Sequence, residues 1–65
     1  MNLTLNGQQQ KTQATTVRQL IVELGFADRA VAVEVNKDLV PKREHERTTL
    51  HEGDQVELVT LVGGG

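Results

Sequence analysis

The 65-residue sequence has no cysteine, tryptophan or tyrosine, a single proline, Pro41, and a single phenylalanine, Phe26. Without cysteine there is no disulfide framework, no thiolate zinc site, no CxxC redox pair and no cysteine nucleophile. No apolar run approaches the roughly 18 residues that a membrane-spanning helix needs. The opening Met1 to Gly7 lacks a basic region followed by an apolar stretch, so no secretory signal is readable. Neither charge sign dominates: seven Lys and Arg against nine Asp and Glu leave a formal net charge of −2. No electrostatic footprint for nucleic acid is visible. These absences point to a soluble cytoplasmic protein.

What is present is aliphatic. Eight Leu, nine Val and one Ile supply most of the 37% apolar fraction. The length allows one small domain with a thin core, in a size range where apolar burial and chain entropy nearly cancel.

Asn2-Leu3-Thr4-Leu5 alternates polar and apolar and meets Asn6-Gly7, the pair best suited to a two-residue hairpin turn because both positions tolerate positive φ. The continuation from Gln8 to Thr12 is polar and reads as an edge strand. Thr15 or Thr16 can cap a helix over 17–24, in which Val17, Leu20, Ile21 and Leu24 share one face. Gly25 stands where a left-handed C-terminal residue is wanted. Val31, Val33 and Val35 alternate along a strand, Asn36-Lys37-Asp38 turns, Leu39-Val40 returns and Pro41 ends the return. The charged segment from Lys42 to Thr49 has no clear period and reads as a loop or a single helical turn. Glu52-Gly53-Asp54 turns again. The longest strand then runs from Gln55 to Val62, with Val56, Leu58, Thr60 and Val62 inward and Glu57, Val59 and Leu61 outward.

A hairpin, one helix and a return to the sheet form an α+β pattern. If the last strand pairs beside the first, the result is a β-grasp, or ubiquitin-like, fold: a mixed sheet with the helix packed on one face. Periodicity alone leaves a different small α+β sheet open. The expected division is a β-grasp domain over 1–62 and a flexible glycine tail over 63–65. Three terminal glycines add nothing to a core, and on composition they are either a frayed end or a segment that enters a narrow site on another protein, where a Cβ would obstruct.

The whole chain resembles the ThiS family of ubiquitin-like sulfur carriers of thiamin biosynthesis. The resemblance rests on Leu3-Thr4-Leu5-Asn6-Gly7, Thr16-Val17-Arg18-Gln19-Leu20, Val33-Glu34-Val35-Asn36 continuing to Leu39-Val40-Pro41, and Gly53-Asp54-Gln55-Val56-Glu57-Leu58-Val59 leading to Val62-Gly63-Gly64-Gly65. Where family members usually carry arginine after the proline, this chain has Lys42 followed by Arg43.

The resemblance implies a protein co-substrate with no active site or cofactor of its own. A ThiF-like adenylating enzyme would use MgATP to activate the Gly65 carboxylate, with Gly63 and Gly64 as the tail that presents it. A persulfide would then displace AMP to leave a thiocarboxylate, and a ThiG-like thiazole synthase would receive the sulfur. Outward Val59 and Leu61 are candidates for partner contact. Lys42, Arg43 and Arg47 read as a hydrated surface, with steering of an acidic partner patch as the functional alternative. Glu44-His45-Glu46 does not form a metal site, because adjacent residues do not share one face, and His45 and His51 read as solvated loop residues. The small subunit of molybdopterin synthase, similar in its Gly-Gly end, and a ubiquitin-like interaction module or protein modifier are the alternatives.

Overall fold

A computed structural model describes residues 1–61, and Val62, Gly63, Gly64 and Gly65 lie outside the described residues. The expected tail, the domain boundary after residue 62 and the last residue of the longest strand therefore fall beyond it.

Strand β1 (Asn2–Leu5) pairs antiparallel with β2 (Gln8–Lys11) across a two-residue turn in which Asn6 has φ 49° and Gly7 φ 83°. Positive φ at both central residues is the requirement that selected Asn-Gly from the sequence. Asn6 has a second task. Its side-chain Nδ2 donates to the Leu58 carbonyl (3.0 Å) and its Oδ1 accepts from the Leu58 amide (2.9 Å), so one side chain stands in for a strand residue.

Helix α1 (Val17–Glu23) begins at Thr16, whose Oγ1 accepts from the Gln19 amide at 3.2 Å. Gln19 in turn accepts from the amide and the hydroxyl of Thr15, so the entry to the helix is satisfied from both sides. The helix closes where Gly25, at φ 89°, donates to the Val22 carbonyl and Phe26 to the Ile21 carbonyl. That paired closure satisfies end carbonyls and swings Phe26 back against the core. Leu24 caps the helix instead of continuing it.

Strand β3 (Val31–Val35) pairs antiparallel with β4 (Asp38–Val40) through Asn36 and Lys37, at φ 51° and 72°. The turn is thus two residues, and Asp38 belongs to the returning strand. After Pro41 a single 3-10 turn over Lys42–Glu44 leads toward Leu50, which is buried. Strand β5 (Gln55–Thr60) ends the described secondary structure.

The five strands form one mixed sheet in the order β2-β1-β5-β3-β4. Central β5 runs parallel to β1, with Leu5 opposite Val56, and antiparallel to β3 from Val35↔Val56 to Val31↔Thr60. The last strand therefore lies beside the first, as the β-grasp requires, and polar β2 occupies an edge. Leu3, Val33, Val56 and Leu58 from the sheet pack with Val17, Leu20 and Ile21 of the helix in one cluster.

One expectation is corrected. His45 is buried at 6% exposure, with Nε2 at 3.1 Å from the Val40 carbonyl and its own carbonyl accepting from the Arg18 amide. The 3-10 turn rolls the chain inward, so the residue after it joins the end of β4 to the start of α1. His51 remains exposed, with Nδ1 at 3.9 Å from Asp54.

Candidate functional site

The chemistry expected at Gly65 has no structural description here, so the candidate site is the surface around the end of β5. That strand is held on both sides. Five pairs join it to β3, while Asn6 and the Thr4 and Asn6 amides, which donate to Asp54 and Val56, join it to β1. At the other end of the β3–β4 turn, Asn36 binds the Asp54 carboxylate and the Gln55 amide, both at 3.0 Å. Beyond Thr60, the Leu61 amide still donates to the Ala30 carbonyl at 2.9 Å. The chain is therefore anchored up to four residues before Gly65.

Val59 and Leu61 are exposed at 57% and 52%. Val59 lies opposite Ala32 on the sheet face that the helix does not cover. Leu39, exposed at 66% and opposite Glu34, shares that face across β3. It is an outward aliphatic that the sequence marks only as part of a return strand. The alternation of Leu39 with inward Val40 held the signal, but the short strand left its faces unassigned.

Leu61 borders a different feature, an open groove of about 960 Å³ on the side of α1 and the 3-10 turn. Lys42 and Arg43 line it, joined by Arg18 and Arg29, whereas Arg47 does not. The basic cluster read from sequence as Lys42, Arg43 and Arg47 is thus regrouped by the tertiary structure. Among the described residues, no group of His, Asp and Glu side chains is placed to hold a metal ion. Nor is any helix among them long and apolar enough to cross a membrane.

A mixed sheet gripping one helix, with its central strand leading directly toward a glycine end, defines a β-grasp protein of the ubiquitin-like class. The sequence matches the ThiS family over residues 3–65, and the chain belongs to that family. It is similar to the crystal structure of the thiamine biosynthesis protein ThiS from Geobacter metallireducens, with a TM-score of 0.83 and 33% identity, covering all of both chains. The sulfur carrier protein ThiS of Bacillus subtilis is 32% identical over 65 residues, 97% of this chain and 98% of that protein. The thiazole synthase of Paramagnetospirillum magneticum is 41% identical over 66 residues, which cover the whole of this chain and 20% of that protein. The chain thus spans about a fifth of the length of the thiazole synthases it matches.

Proposed function

We propose that the chain is a sulfur carrier for thiamin thiazole formation, a protein co-substrate and not an enzyme. A free carboxylate is a poor electrophile because its carbon bears delocalised negative charge. A ThiF-like enzyme overcomes this with MgATP: a Gly65 carboxylate oxygen attacks the α-phosphorus, pyrophosphate leaves, and the carbonyl carbon acquires AMP as a leaving group. The outer sulfur of a persulfide displaces AMP, and cleavage of the sulfur–sulfur bond by a thiol leaves the thiocarboxylate. A ThiG-like thiazole synthase then takes the sulfur. Sulfur rides on a carbonyl carbon throughout, so the carrier needs no thiol, in keeping with a sequence free of cysteine.

The observation that carries this proposal is the family match running through residue 65, so that it includes the terminal glycines that follow the anchored end of β5. Incubation with a ThiF-like enzyme, MgATP and a persulfide donor should raise the mass of the intact chain by the difference between sulfur and oxygen. An unchanged mass, or a larger adduct on a second protein, would reject the carrier role in favour of an interaction module or a modifier.

Val59 and Leu61 are the contacts we assign to the adenylating enzyme. Both are more than half exposed, so replacing them with Ser removes little burial and should cost the fold no more than about 1 kcal/mol, as expected for two surface substitutions. Small apolar groups beside a reactive tail are natural anchors, and binding should weaken while the thermal melt holds. Unchanged affinity of the double variant would place the docking face elsewhere.

A further inference from the structure

Four of the seven basic residues, Arg18, Arg29, Lys42 and Arg43, line the one groove bordered by Leu61, and Glu46 is the single acidic residue there. They arrive from three places: the first turn of α1, the segment before β3 and the 3-10 turn after β4. The chain as a whole carries a net charge of −2, so the groove is a local reversal of sign. Among the described residues, none of the four cations is in a side-chain ion pair with a carboxylate. Ile21 and Val31 contribute apolar wall. Cations of one sign over a low-dielectric wall focus the field and raise the local concentration of an opposite charge.

We propose that this groove docks an acidic segment on the surface of the adenylating enzyme, orienting the carrier by charge while the tail is presented. The proposal rests on the carrier role set out above. An extended polypeptide bearing several carboxylates suits cations spread along an open groove of about 960 Å³ better than one compact phosphate would. The position matters as much as the charge. Leu61 stands at the rim only four residues before Gly65, at most about 14 Å of extended chain, so a partner that takes the tail is within reach of the groove.

The test reverses three exposed groove residues together, Arg29→Glu, Lys42→Glu and Arg43→Glu, against a control carrying Lys11→Glu, Lys37→Glu and Arg47→Glu. Both variants change net charge equally. Stopped-flow association with the adenylating enzyme, without ATP, should be at least about tenfold slower for the groove variant at low ionic strength, with the gap narrowing as salt rises. The control should retain most of the wild-type rate. Equal slowing of both variants would assign the effect to net charge and overturn the proposal, as would an unchanged groove variant. Slowing seen only when ATP is bound would assign the groove to nucleotide phosphate and also overturn it. A measurement that needs no variant titrates isotope-labelled wild-type carrier with an oligoglutamate peptide and, separately, with inorganic pyrophosphate. Amide shifts should gather at Arg18, Arg29, Lys42 and Arg43 with the peptide, and a response to pyrophosphate alone contradicts the assignment. The two levels stay separable. Wild-type carrier that is never adenylated refutes the carrier role, whereas normal adenylation with an indifferent groove refutes only the docking.

Discussion

Deleting Gly65 should reduce ATP–pyrophosphate exchange with the adenylating enzyme by at least about a hundredfold while leaving the fold intact. The shortened chain still ends in a glycine carboxylate, so the loss arises from position and not from chemistry. One extended residue spans about 3.3–3.6 Å, and a misplacement of about 1 Å in a reacting group can cost about a hundredfold. Strand β5 cannot compensate by slipping forward out of the sheet, because it is locked to β3 by five pairs and tied to the β1–β2 turn through Asn6. Gly64→Leu tests the channel instead of the reach, since it keeps the carboxylate at its full distance and adds only a side chain. It should also lose exchange. A thermal melt matching wild type establishes that the fold is unaffected, as expected for glycines that bring no side chain to the core. Exchange at the wild-type rate in the Gly65 deletion would refute the assignment of Gly65 as the modified residue.

Leu20→Ala should cost about 2–5 kcal/mol, the range for truncating a fully buried leucine. Leu20 is completely inaccessible and lies in the cluster that joins α1 to Leu3, Val33 and Leu58. At about 0.05–0.15 kcal/mol per residue, a domain of this length has only about 3–10 kcal/mol in total, so this one substitution can remove half or more of it. Val22 supplies the control from the same helix. It is 49% exposed, and Val22→Ala should change stability by about 0.5 kcal/mol or less. Urea midpoints measure both. Equal shifts for the two variants would mean that the helix presents a different face to the sheet.

Those two faces were legible in the sequence because helical spacing groups Val17, Leu20 and Ile21 without reference to anything distant. The same is true of a threonine cap at Thr15 or Thr16, which the fold assigns to Thr16, of Gly25 as terminator and of the alternation that set Val56 and Leu58 against Val59. His45 shows where local pattern misleads. Its neighbours Glu44, Glu46 and Arg47 are charged, and charge in a segment without a period reads as solvated loop. Yet the histidine is buried because the Val40 carbonyl and the Arg18 amide meet it from elements that sequence spacing does not bring together.

The candidate site divides in the same way. Val59 could be named from alternation along one strand, whereas Leu61, expected on the same side, lies past the end of β5 and borders the groove beside α1. Leu39 could not be named, because its companionship with Val59 depends on β3 lying between β4 and β5. The basic cluster was half visible: Lys42 and Arg43 adjoin in sequence, whereas Arg18 and Arg29 reach them only through the packing of α1 and the segment before β3.

The sequence by itself determined the Asn6-Gly7 turn, the Gly25 helix end, the two sides of β5 and the glycine end, since each depends on φ preferences or side-chain period within a few residues. Tertiary structure alone decided that β5 enters the sheet between β1 and β3, that His45 is buried and that four cations converge near Leu61. The physical reason is that these outcomes rest on pairing between distant segments, as when the Asn6 side-chain carboxamide takes its place against the Leu58 backbone, 52 residues away. Such a contact forms only once chain entropy has been overcome by burying the shared core, and no local pattern records it.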